Sequence, residues 1–222
     1  MKRRDLIAGG LSTAAIVCLN RGARAGNAQI DPDFPRLFNG RDFTGMKFIL
    51  ANGSKEPGDT FKVDTRLLIC SGKPNGYWYT EKSYKNFILR LDYRYKRPEG
   101  LDDEQKFLGN SGYLIYIQGD PKVWPRAIEV QGMNRDVLKT FAISPFPAIK
   151  AKDDNEARLK ARKPVGEWNS VEIISKDGAL TSSLNGVKIA ESEPADFKEG
   201  PIGFQSEGAE IHWRRVRIKE MP

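Results

Sequence analysis

The stretch NFILRLDYRYKRP, residues 86–98, decides the fold. Phe87, Leu89, Leu91, Tyr93 and Tyr95 fall on one side of an extended chain. Ile88, Arg90, Asp92, Arg94 and Lys96 fall on the other. Successive side chains of a strand point to opposite faces, so this alternation predicts a strand with an apolar inner face and a charged outer one. Pro98 follows, where a residue that cannot donate to the ladder is tolerated.

Working outward, further short runs behave similarly: TRLLICSG (65–72), GYLIYIQG (112–119), AIEVQG (127–132), NSVEIIS (169–175), GALTSSLNGVKIAE (178–191), GPIGFQSEG (200–208) and EIHWRRVRI (210–218). Many short strands separated by turn signals predict an all-β sandwich or barrel. Asp177-Gly178 and Asn185-Gly186 bracket ALTSSL as type I′ hairpin signals and predict a meander. In the last run Ile211 and Trp213 share one parity, Val216 and Ile218 the other. A β-bulge near Arg214-Arg215 would bring all four to the core side. Two stretches resist the strand reading. DDEQKFL (102–108) reads as a charged loop. SPFPAIKAKDDNEARLKARKP (144–164) reads as a long polar connection with one helical turn at NEARLKA, of a length often found in functional loops or lids.

Residues 1–25 are set apart as an export signal. They hold a basic start (Lys2, Arg3, Arg4), an apolar run from Leu6 to Leu19 and an Ala23-Arg24-Ala25 cleavage pattern. Arg3-Arg4 before a weakly apolar segment fits a twin-arginine signal. The run is too short for a membrane span. Residues 26–222 form one domain, large enough to bury a full core. Five of the 36 basic residues and one of the 29 acidic ones lie in the leader. Its removal lowers the net charge from +7 to +3, which withdraws the support for a nucleic-acid partner. Cys70 is then the only cysteine and His212 the only histidine, so neither an internal disulfide nor an ordinary zinc site is available. The localisation expected is periplasmic or extracellular, and the oligomeric state is not legible.

The chain has no phosphate-cradling glycine loop, no Gly-x-Ser-x-Gly elbow and no Cys/His pair. Carboxylates are the remaining route to acid–base chemistry. In WPRAIEVQGMNRD (124–136), Glu129 and Gln131 project from the face opposite Ile128 and Val130, roughly 7 Å apart. They form either a solvated outer face or the polar floor of a sugar groove. Tyr77, Trp78, Tyr79, Tyr113, Tyr116 and Trp124 are aromatics that could stack on sugar rings, and core packing explains any one of them equally well. Asn110-Ser111-Gly112 is a turn or a hydrogen-bonding corner at the groove end. Asp102, Asp103 and Glu104 form a solvated acidic loop or a calcium site, and solvation is the favoured account.

LFNGRDFTGMKF (37–48), SGKPNGYWYTEKSYKNFILRLDYRY (71–95), GNSGYLIYI (109–117), WPRAIEVQG (124–132), GEWNSVEI (166–173), LNGVKIAE (184–191) and GPIGFQSEGAEIHWRRVRI (200–218) resemble, in order, the motifs of the 3-keto-disaccharide hydrolase domain family. The resemblance implies a concanavalin A-like jelly-roll β-sandwich of two antiparallel sheets. It implies sugars or glycosides oxidised at C3 as substrates, split by removal of the C2 proton and elimination of the C1 substituent. It carries to Glu129 the role of base or principal polar contact, and to Gln131 and Asn110 the holding of sugar or enediolate oxygens. It carries Gln205 and Glu207, from the matching QSEG, to the same groove, and a strand-ending turn explains these two as well; Tyr116 and Trp124 are lining candidates from the aromatic reading alone. Many members have an arginine where this chain has Tyr116, and Arg215 replaces an asparagine. No cofactor is evident; a divalent metal would substitute for that arginine, although no convincing ligand set stands in the sequence. A non-catalytic carbohydrate-binding module of the same fold is the alternative, and turnover of a 3-keto-glucoside discriminates the two.

Overall fold

The computed structural model describes residues 34–143 and 148–222. The proposed export signal, and Ser144–Pro147 of the long connection, lie outside these residues. Among the described residues, fourteen strands and one α-helix form two antiparallel sheets. In chain order the strands are β1 (Met46–Leu50), β2 (Phe61–Asp64), β3 (Leu67–Cys70), β4 (Gly76–Thr80), β5 (Phe87–Tyr95), β6 (Gly112–Gln118), β7 (Arg126–Gln131), β8 (Thr140–Ala142) and β9 (Ala151–Asp153). The helix α1 (Asn155–Ala161) follows, then β10 (Asn169–Lys176), β11 (Ala179–Leu184), β12 (Val187–Ser192), β13 (Gly203–Ser206) and β14 (Ile211–Glu220). The smaller sheet runs β1-β4-β13-β6-β7-β8 and the larger β2-β3-β14-β5-β10-β11-β12-β9.

The inner residues of both sheets meet in one core, as apolar alternation requires of a sandwich. Phe87, Leu89, Leu91, Tyr93 and Tyr95 of β5 are buried there as expected. Trp78 of β4 stacks on Phe204 of β13 at 4.2 Å, and Trp213 of β14 meets Phe204 edge-on at 5.6 Å, joining the two sheets. Asp177-Gly178 and Asn185-Gly186 all take positive φ, as type I′ turns demand, and the β10-β11-β12 meander forms around them. The ladder between β14 and β5 shifts register between Arg214 and Arg217, and Arg215 takes φ 53°. Ile211, Trp213, Val216 and Ile218 consequently all reach the core.

The long connection is more ordered than its composition suggests. It supplies the edge strand β9 and a seven-residue helix whose N-cap, Asp154, accepts from the Ala157 amide. Arg158 of that helix is buried, and its guanidinium donates to Val137 O (2.8 Å) and Asn155 Oδ1 (2.9 Å) and pairs with Asp153. The helix is thereby fastened to the turn that follows β7.

Candidate functional site

The register across the smaller sheet determines what meets Glu129. Glu129 pairs with Leu114 on one side and Phe141 on the other, and Gln131 pairs with Gly112. Gly203 pairs with Leu114 and with Tyr79; Gln205 pairs with Tyr77. With a side-chain period of two, the face away from the core presents Ile49, Tyr77, Tyr79, Gln205, Gly112, Leu114, Glu129, Gln131 and Phe141. Tyr77, Leu114, Ile117 and Ala127 form a second apolar cluster there, with Ile49, Tyr79 and Ile143 against it. This face is therefore not a solvated exterior. Glu129 is 5% exposed, Gln131 9% and Gln205 1%.

Gly112 makes room for the polar centre. A Cβ there would collide with Gln205 Oε1 and lie 2.6 Å from Glu129 Oε1, so both side chains fold over the bare Cα. Gln205 Nε2 faces Glu129 Oε2 at 3.4 Å, while Gln205 Oε1 is buried without a protein partner. Gln131 Oε1 accepts from the Met133 amide at 2.7 Å and its backbone is bonded to Lys139 and Leu138, which fixes its direction. Tyr95, reaching from the larger sheet, donates its hydroxyl to Gly132 O at 2.8 Å and supports the same turn.

Glu207 follows β13 with the parity of Gln205, and a backbone bridge joins it to Asn110. Asn110 Oδ1 accepts from Ser111 N at 2.9 Å. Burial raises the Glu207 pKa, and the Asn110 side chain moderates the rise. Burial, reinforced by the negative charge of Glu207 and offset by Gln205, pushes the Glu129 carboxyl up to about 8. Two carboxyl groups and three amides are thus gathered from the body of β7 and from β13 and the start of β6 with their flanking residues.

Glu129, Gln131, Asn110, Gln205 and Glu207 come together at this end of the smaller sheet. Tyr116 does not. The β6–β7 ladder is irregular between Ile115 and Gln118, and Tyr116 takes φ 58°. That bulge turns Tyr116 into the core, where its ring meets Phe87 and its hydroxyl bonds Lys85 O and Ser175. It lines no groove. Trp124 is exposed on the β6–β7 connection, at the hairpin end opposite Gln131, and stands apart from the cluster. Of the other aromatics considered, Trp78 and Tyr113 are core residues, whereas Tyr77 and Tyr79 lie on the face of Glu129. The acidic loop is spent on structure: Asp103 caps a short 3-10 turn, and Glu104 pairs with Arg97 and accepts from Val165 N. His212 is half-buried against Glu210 (2.8 Å) and Arg94 on the larger sheet. Among the described residues, no group of three or more His, Cys, Asp or Glu side chains could hold a metal ion. No described helix is long and apolar enough to cross a membrane. Sequence reasoning missed the role of Gly112; a glycine opening a strand beside polar residues was its signal.

A family model for the 3-keto-alpha-glucoside-1,2-lyase-like domain matches residues 33–219. Among solved structures, a candidate glycosyl hydrolase from Parabacteroides distasonis is similar over 84% of this chain and 93% of its own, at 21% identity and a TM-score of 0.60. The carbohydrate-binding module CBM66 of Bacillus subtilis covers 81% and 98%, at 12% identity and 0.56. The β-glucanase of Bacillus licheniformis covers 84% and 97%, at 10% and 0.53. At such identities these likenesses establish the jelly-roll fold alone. No curated protein matches the chain.

Proposed function

The chain belongs to the 3-keto-alpha-glucoside-1,2-lyase-like domain family, and from that premise we propose that it is an enzyme cleaving 3-keto-glycosides by elimination. The C3 ketone acidifies the C2–H bond. Loss of that proton gives an enediolate, whose electrons expel the C1 substituent as an alcohol; water can then add, giving net hydrolysis. The reaction needs proton transfer at two places and hydrogen bonds to the developing oxyanion.

The observation that carries this reading is a desolvated carboxyl group, Glu129, set among amide side chains on the buried outer face of a sheet. Perturbed carboxyls in such places are candidates for proton transfer. Glu129 is the proposed proton-transfer group, and Asn110, Gln131 and Gln205 are the proposed contacts to substrate oxygens. The paired-carboxylate spacing of ordinary glycosidases is not required, because the bond breaks by elimination from an activated carbon. Export through the N-terminal segment is part of the proposal, and fractionation of cells making the full chain tests it.

Purified protein incubated with a 3-keto-glucoside should release the aglycone. With an unactivated alkyl aglycone, Glu129→Gln should reduce that turnover by roughly 10²- to 10⁴-fold, the usual worth of one proton-transfer group, with the thermal melt showing an intact fold. Near wild-type activity in the variant removes Glu129 from the mechanism. No turnover by the wild type, with retained binding of plain saccharides, would mean a binding module instead.

A further inference from the structure

We propose that, in the elimination just described, Glu207 is the base that takes the C2 proton and Glu129 is the acid that protonates the departing C1 oxygen. This rests on that reading and reverses the role expected of Glu129 from the sequence. It follows from where the two carboxyl groups sit. Glu129 lies mid-strand in β7, between Leu114 and Phe141, and is almost fully buried. Glu207 lies past the end of β13, half-buried, beside Asn110 across a backbone bridge. Partial hydration favours the ionised form; desolvation disfavours it.

Gln205 supplies an independent observation. Its amide is 1% exposed, and its Oε1 has no protein donor. That oxygen and Glu129 Oε1 both crowd the space above the Gly112 Cα. A buried acceptor oxygen without a donor, beside a carboxyl group, leaves an unmade bond in a desolvated site. A proton on Glu129 supplies the donor. The charge of Glu207 acts in the same sense, since a neighbouring carboxylate disfavours ionisation of the more buried Glu129. The resting site then holds one proton on Glu129 and one charge on Glu207, the state an elimination needs at its start.

The balance closes. Glu207 accepts the C2 proton, and the C2–H electron pair enters the C2–C3 enediolate. As the C3 carbonyl re-forms, the C1–C2 double bond is made, the C1–O bond breaks, and its electron pair takes the proton of Glu129. The products are the 3-keto-glycal, an enone, and the free alcohol. Proton return from Glu207 to Glu129, directly or through solvent, resets the pair.

Three substrates separate the roles: a 3-keto-glucoside with a nitrophenyl leaving group, one with a methyl group, and a 3-keto-1-deoxy sugar. The last can exchange its C2 proton in D₂O but has nothing to expel. Glu129→Gln should turn over the nitrophenyl compound within about tenfold of wild type, lose methyl-glycoside turnover by roughly 10²-fold or more, and keep C2 exchange. Glu207→Gln should lose all three, and Glu207→Asp should recover part of each; both are checked by thermal melting. Loss of C2 exchange in Glu129→Gln, or its survival in folded Glu207→Gln, overturns the assignment. Failure of the wild type on all three overturns the elimination itself.

Discussion

The outer faces of the two sheets are built from the same alternation and have opposite fates. On the larger sheet, Arg90 pairs with Glu172 at 2.6 Å and lies over the Phe34 ring, Lys96 pairs with Glu210, and Arg94 and Arg214 both lie against Trp168. Most of these charges keep contact with water. On the smaller sheet, aromatic and aliphatic side chains surround Glu129, Gln131 and Gln205 and take their water away. Exposed ion pairs contribute little because solvent screens them. Desolvated carboxyls are held in an uncomfortable state that chemistry can use. Alternation identifies which residues leave the core; what covers the face they reach decides their chemistry.

The harshest way to break the contrast is to add a methyl group beneath the polar centre. Gly112→Ala should displace Glu129 and Gln205, lower turnover of a 3-keto-glucoside by roughly 100-fold, as small misplacements of reacting groups do, and cost about 1–3 kcal/mol by overpacking. Kinetics and thermal unfolding measure the two effects.

A second experiment compares pH dependence. The folded pKa of Glu129 is raised from 4.5 to about 8, so its stabilising contribution is full below the unfolded value and is lost as pH rises through the folded one. Urea unfolding of wild type and Glu129→Gln should therefore agree near pH 4 and diverge above it. By pH 8.5 the variant should be the more stable by on the order of 4–5 kcal/mol. Coincident curves at every pH would show a solvated carboxyl.

The mildest change belongs to the larger sheet. Arg90→Ala should cost about 0.2–1 kcal/mol in unfolding experiments, and less in high salt. A loss of several kcal/mol would mean that this face is not the screened surface described above.

Where the determinants are local, they were readable. The β5 alternation, the two turns with glycine after Asp or Asn, and the β14 phase change each lie within a few residues. The Tyr116 bulge carries no glycine or proline to mark it, so alternation sends that residue to the wrong face. The short strands β1, β4 and β9 are set by pairing with distant partners rather than by their own pattern. The candidate site divides the same way. Glu129 and Gln131 were visible as a pair, but the approach of Gln205 and Glu207 depends on β13 lying beside β6, a neighbour 90 residues away in the chain. Asp92 is a further case. It sits on the charged parity of β5, yet Arg214, Arg215 and Ser170 enclose its carboxylate.

The Arg158 anchor bears on how the molecule moves. To swing α1 outward, the protein would have to strip a shielded cation of a main-chain oxygen and of its acidic partner at once. Removing one partner of such a pair costs on the order of 3–5 kcal/mol. The helical arm is accordingly a riveted buttress for the corner beyond Gln131, and amide exchange along it should be as slow as in the neighbouring strands.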